Sequence, residues 1–197
     1  MMKKFGLSLV AIALIALIGC KENKKDAEEI VFEKTEKVVK AAVKKTTPKS
    51  VSFALESKSE STTVGKAEFT EVNGMVRFEM KLSGLTEGVH AVHIHEKADC
   101  SSPDGKSSGG HWNPTMAKHG KWGDAEGFHK GDIGNLTADE NGDGGISMET
   151  DEWCIGCDDE NKNIIGKAII VHQGVDDYTT QPTGAAGGRV SCGGIIE

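Results

Sequence analysis

Positive charge is scarce in the part of this chain that is long enough to fold. Residues 51–197 carry twelve Lys or Arg against twenty-four Asp or Glu, a net charge of −12. That balance argues against nucleic acid as a partner, because such binding rests on clustered Lys and Arg. It is also awkward for a small anionic substrate, which would need a local positive field. The same stretch lacks any convincing long helix. Long hydrophobic runs are missing too: the apolar segment from Phe5 to Ile18 is too short for a comfortable membrane span. Between Lys21 and Ser50 there is no glycine.

The N-terminus reads as an address rather than as structure. Lys3 and Lys4 precede the apolar core, which ends in Leu17-Ile18-Gly19-Cys20. That ending resembles the bacterial lipobox, in which the cysteine is acylated and becomes the mature N-terminus; an ordinary signal peptide with an incidental cysteine is the alternative. Residues 1–19 are expected to be a lipoprotein signal peptide, with Cys20 the lipidation site and the membrane a partner through its acyl chains. The protein would then be exported and lipid-anchored to the bacterial cell envelope, on the periplasmic side or the cell surface, where disulfides persist. Residues 20–50 read as a charged tether. Glu33 with Lys37 and Glu36 with Lys40 have helix-favouring polarity, and Val31, Val38, Val39 and Val43 supply a thin apolar stripe ending before Pro48. A partner-binding helix competes with the tether there.

Residues 51–197 are one domain's worth of chain, and alternation dominates it. Val51, Phe53 and Leu55, then Ala67 and Phe69, then Val76, Phe78, Met80 and Leu82 alternate with polar residues, the period of half-buried strands. Asn73-Gly74 marks a hairpin. Further strands are expected at 88–96, 132–138, 144–149, 165–172 and 188–195. The fold class is all-β: about eight antiparallel strands in a sandwich or flattened barrel. Residues 97–131 are too long and Gly-rich for a plain connection, and long loops in compact domains are commonly functional.

The seven histidines favour a metal site in that loop. On a strand, His93 and His95 point the same way, about 7 Å apart along the backbone, a two-point grip for one metal. His90 has the other parity and reads as a buried hydrogen-bonding residue. His111, His119 and His129 lie on the long loop with Asp132 close behind. Three imidazoles and a carboxylate suit tetrahedral zinc, and imidazole also binds copper well. His172 follows Ile169-Ile170-Val171, where a strand would deliver it to the same edge.

Several motifs together carry a family resemblance. His90-Ala-Val-His-Ile-His95, Gly110-His-Trp-Asn-Pro114, Lys118-His-Gly120, Gly131-Asp-Ile-Gly-Asn135, the run from Ile165 to His172 and Gly187-Gly-Arg-Val-Ser-Cys-Gly193 resemble the copper/zinc superoxide dismutases. They do so in order and across nearly all of residues 51–197. The resemblance implies a Greek-key barrel with long metal-binding loops and one copper and one zinc per subunit. Superoxide would be the substrate, disproportionated to dioxygen and hydrogen peroxide as the copper cycles between two oxidation states. Carried over by position, copper would be held by His93, His95, His111 and His172, and zinc by His111, His119, His129 and Asp132. His111 would bridge the metals and act catalytically by passing a proton. Asp176 would link a copper histidine to a zinc histidine, and Arg189 would guide the anion. Cys100 and Cys192 would form the intrasubunit disulfide.

Some features depart from that pattern. The segment from Cys100 to His111 is extended, as in bacterial members, whereas His172 to Thr183 is short and lacks the charged guidance loop of eukaryotic enzymes. Assembly does not carry over, and a homodimer is one option. Cys154-Ile-Gly-Cys157 has no counterpart: a local structural disulfide is favoured over a redox dithiol or an auxiliary copper site. Trp153 beside it reads as packing. Against the dismutase stand a copper-buffering domain, a copper-only dismutase and a purely structural sandwich. Arg189, a bridging His111 and Asp176 speak against the first, and His119, His129 and Asp132 against the second.

Overall fold

Period-two patterning becomes a closed barrel. A computed structural model of the chain describes residues 47–197. The expected signal peptide, the acylated Cys20 and most of the tether lie outside the described residues. Eight antiparallel strands follow in chain order: β1 (Lys49–Ser57), β2 (Val64–Val72), β3 (Met75–Ser83), β4 (Gly88–His95), β5 (Gly134–Ala138), β6 (Gly144–Thr150), β7 (Ala168–His172) and β8 (Arg189–Gly194). Around the barrel they run β1-β2-β3-β6-β5-β4-β7-β8, and β8 pairs back onto β1. The connections from β3 to β4 and from β6 to β7 skip over neighbours, which is the Greek-key pattern. Among the described residues the only helical element is a 3-10 turn, Lys106–Ser108.

The strand ends shift slightly from the sequence expectation. β1 begins at Lys49, so the last two residues assigned to the tether belong to the barrel. Both are exposed and polar, and therefore carry no hydrophobic signal. β7 begins only at Ala168, because the chain ahead of it is still turning: Lys167 N–H donates back to Ile164 O at 3.2 Å. The Asn73-Gly74 hairpin is as expected, with positive φ at both residues (53° and 80°), as a two-residue primed turn requires. β3 alternates strictly between exposed and buried, placing Val76, Phe78, Met80 and Leu82 inside.

β4 and β7 are buried on both faces, and this locates the site. Val92, Ile94, Ile169 and Val171 point into the main core with Phe69, Phe78 and Trp153. The opposite face, with Ala168 and Ile170, packs with Cys192 and Cys100, beneath the chain that joins β4 to β5 and β7 to β8. His93 and His95 share this covered outer face. Their neighbour His90 has the parity of Val92 and Ile94.

Both expected disulfides are present. Cys100–Cys192 ties the β4–β5 loop to β8 across 92 residues of sequence, and Cys154–Cys157 closes a three-residue step in the β6–β7 loop. Phe78 is fully buried, with its ring 4.6 Å from Phe69. Phe78→Ala is expected to cost about 3–5 kcal/mol of stability in urea unfolding; a loss below about 1 kcal/mol would show that the core does not close on this ring.

Candidate metal centre

Three pieces of chain meet beside β4 through main-chain atoms. Trp112 N–H donates to Ile94 O (2.8 Å), Gly131 N–H to Trp112 O (3.0 Å), and Ile94 N–H to Gly131 O (2.8 Å). This closed triangle sets His93 and His95, His111, and the pair His129 and Asp132 next to one another. His172 comes from the end of β7. There the register with β8 shifts, so that His172 faces Arg189 instead of Val190. Such bulges re-aim side chains.

The donors fall into two sets of four. His93, His95, His111 and His172 form one, and His111, His119, His129 and Asp132 the other. Within each set the donor atoms lie within 4.8 Å of one another, and all seven residues are buried. His111 belongs to both. Its Nδ1 lies 3.0 Å from the Asp132 carboxylate, while Nε2 has no hydrogen-bond partner. Every one of the six histidines has one buried ring nitrogen without a partner: Nδ1 of His93, His119 and His129, and Nε2 of His95, His111 and His172. Six such atoms in one place are far too costly to leave unexplained, since each unpaired buried polar group is worth about 1–3 kcal/mol.

The spacing suits metal ions. His119 Nδ1 and His129 Nδ1 sit 3.0 and 3.2 Å from Asp132 oxygens, but neither makes a hydrogen bond. Donors about 2.0 Å from one tetrahedral zinc would lie roughly 3.3 Å apart. The residues therefore fit zinc in the Asp132 set and copper in the all-imidazole set.

The other ring nitrogens are committed to the scaffold, which fixes the tautomers. His95 Nδ1 lies 2.9 Å from Gly109 O, and His172 Nδ1 3.3 Å from Gly187 O. His93 Nε2 and His119 Nε2 each lie 2.8 Å from a different oxygen of Asp176. The linking aspartate is thus placed between the two sets, as the sequence led us to expect. His90 gains a definite place: its Nδ1 lies 2.9 Å from His172 O and its Nε2 2.8 Å from Thr86 O. It supports the backbone of His172 and belongs to neither donor set.

Burial works against charge on three rings of the all-imidazole set. Burial pushes His111 down to about 4 although Asp132 is adjacent. Burial, with the imidazoles beside them, also takes His95 and His172 well below the usual histidine range. His119 moves the other way. Burial opposes its charge, but Asp132 and Asp176 outweigh that and raise it to about 9. Both carboxyls are held well below the usual range: burial resists, and the imidazoles gathered against each carboxylate prevail.

Arg189 lines a cleft of about 110 Å³ together with His95, Gly110, His111, His172, Thr183, Ala186 and Gly187. Its guanidinium donates to Gly105 O (2.8 Å), Ser108 Oγ (3.1 Å) and Gly109 O (2.8 Å). Gly109 O therefore holds both Arg189 and His95. The segment between Cys100 and His111 supplies these acceptors.

Sequence reasoning missed two supporting amides. Asn135 donates to Asp176 O and accepts from Asp176 N–H, each at 2.9 Å. Gln181 accepts from His119 N–H (2.9 Å) and donates to His119 O (2.8 Å). Gly184 also has a role. At φ +64°, it lies against the Asp176–His119 bond, where a Cβ would overlap both partners. Gly184→Ala is expected to weaken zinc binding about 10- to 100-fold in chelator competition; wild-type affinity would count against Asp176 as the link.

Comparisons with known proteins agree with this geometry. Residues 63–195 match the model of the copper/zinc superoxide dismutase family. The superoxide dismutase [Cu-Zn] 2 of Aquifex aeolicus is 36% identical over 141 residues, covering 69% of this chain and 81% of that protein. An extracellular superoxide dismutase [Cu-Zn] of Haemonchus contortus is 34% identical over 139 residues, 68% of this chain and 73% of that protein. The crystal structure of a double mutant of a superoxide dismutase-like protein from Bacillus subtilis superposes with a TM-score of 0.66 at 31% identity, covering 74% of this chain and 97% of that one. The chain belongs to the copper/zinc superoxide dismutase family.

Proposed function

We infer that the protein is a superoxide dismutase in which His93, His95, His111 and His172 hold copper and His111, His119, His129 and Asp132 hold zinc. Two superoxide anions and two protons give one dioxygen and one hydrogen peroxide. The observation that carries this reading is the set of six unpartnered buried ring nitrogens, divided into two groups that share His111. Copper, when bound, supplies reversible one-electron transfer, and zinc fixes the far side of His111. His111 directs Nδ1 toward Asp132 and Nε2 toward the other three imidazoles. Nε2 is the atom at which the chain holds and delivers a proton to the reduced oxygen species.

Arg189 binds the anion. Three hydrogen bonds hold its guanidinium at the cleft, so little ordering remains to be done when superoxide arrives. That fixed positive group offsets the acidity of the domain locally, and local field governs how small anions approach a site. A copper-buffering domain would need neither this arginine nor a histidine shared between two sets. All seven donor residues come from one chain, so a homodimer is not required for the chemistry.

The family relatives include extracellular enzymes, consistent with export. A lipid anchor at Cys20 and a tether running up to β1 extend this reading to attachment at the cell envelope, where superoxide produced outside the cytoplasm would be met.

Metal-loaded protein is expected to contain one copper and one zinc per chain and to dismutate superoxide, by elemental analysis with an activity assay. Full copper occupancy without turnover would replace the enzyme by a copper store. His111→Ala is expected to lower zinc affinity at least tenfold and turnover with it. Unchanged zinc affinity would remove His111 from the zinc set.

A further inference from the structure

The copper donors His93, His95 and His172 ride on barrel strands, but the zinc donors His119, His129 and Asp132 all lie on irregular chain between β4 and β5. Something must hold that chain in place, and the β6–β7 loop meets the turn between His129 and Asp132 through Trp153 and its neighbour Glu152. We propose that Trp153 is a positioning residue for the zinc half of the centre, held in place by the Cys154–Cys157 disulfide. The proposal rests on the reading of His111, His119, His129 and Asp132 as the zinc site.

Trp153 touches the zinc loop in two ways. Its indole N–H donates to Lys130 O at 2.8 Å. Lys130 lies between His129 and Asp132, within the turn closed by Asp132 N–H to His129 O at 3.0 Å. The indole also meets Trp122 edge-on at 5.1 Å, and Trp122 in turn packs on Phe128 at 4.8 Å. Trp122 and Phe128 both lie between His119 and His129. A third link is the ion pair between Lys130 and Glu152, the residue preceding Trp153. On its other side Trp153 packs edge-on against Phe69 (5.8 Å) and Phe78 (6.4 Å), the centre of the barrel core.

The indole is itself prevented from drifting. Directly after it, the Cys154–Cys157 disulfide closes a loop whose Ile155 N–H donates to Glu71 on β2 (2.8 Å) and whose Ile155 O accepts from Lys49 on β1 (2.7 Å). Cys154 N–H donates to Lys162 O, and Ile164 N–H to Cys154 O. The staple therefore fixes the β6–β7 loop to the barrel rim, and Trp153 conveys that fixity to the turn carrying two zinc donors. Elsewhere the same loop places Lys167 over Trp112, beside the shared His111, but Trp153 itself makes its hydrogen bond and ring contacts with Lys130, Trp122, Phe69 and Phe78 and not with His93, His95 or His172. Loss of the brace should act on zinc selectively.

The test measures zinc and copper affinity of the full chain by chelator competition, together with the visible absorption of Co(II) in the zinc site. Trp153→Phe keeps an aromatic ring and removes the N–H; Cys154→Ala/Cys157→Ala removes the staple and leaves the indole. Both variants are expected to bind zinc more weakly, Trp153→Phe by about tenfold or more. The cobalt bands should shift, and copper affinity should stay within twofold. Zinc affinity within twofold of wild type with unchanged cobalt bands in both variants would overturn the proposal. Equal losses for zinc and copper would also do so, since they would mark general destabilisation. Should Trp153→Phe fail to fold, the double cysteine variant decides by the same criteria. A wild-type chain that takes up neither zinc nor Co(II) would overturn the zinc assignment itself, and the brace with it.

Discussion

The structure depends on one buried carboxylate that serves two imidazoles. Asp176 accepts from His93 with one oxygen and from His119 with the other, so a barrel strand and an irregular loop are held at one spacing. If the link were absent, His93 Nδ1 and His119 Nδ1 could each turn away from the donors they face. Much of the surrounding chain serves this aspartate: Asn135 holds its backbone on both sides, Gln181 clamps the backbone of His119, and Gly184 leaves room for the bond between them. His111 joins the two donor sets by a ring, and Asp176 joins them by a carboxylate. Two separate connections thus tie the two donor sets together.

Barrel and loops divide the work. A closed sheet leaves no edge to protect, so both faces of β4 and β7 can be covered, one by the core and one by the loops. Placing His93 and His95 on the loop-covered face buries them without opening the barrel. The segment after Cys100 then returns as a cradle of acceptors for Arg189, while Cys192, tied to Cys100, lies three residues beyond that arginine on β8.

Period-two alternation made β1, β2 and β3 readable, because a half-buried strand writes its exposure into its side chains. β4 and β7 were readable only in part, since burial on both faces erases alternation; motif spacing and the histidine parity supplied the rest. The start of β1 was hidden because Lys49 and Ser50 project polar side chains into solvent. The histidines and Asp132 were legible because few residue types can ligate metal, so that their chemistry is explicit; the place of Asp176 came from the family resemblance alone. Asn135 and Gln181 were not, because an amide that bonds main chain looks like any surface amide in a sequence. Trp153 was read as packing, and it does pack; its hydrogen bond to Lys130 O depends on a loop position that no local pattern encodes.

The donor sets and the residues that support them lie far apart in the chain: 83 positions separate His93 from Asp176, and 84 separate Gly105 from Arg189. Contacts of that span form late, after most of the loop-closure entropy has been spent. Local segments of the unfolded chain cannot assemble either complete set, so tight metal binding is a property of the finished fold. Metal availability therefore adds to the persistence of the native state through mass action. The cofactors are at once the means of catalysis and a seal on the folded chain.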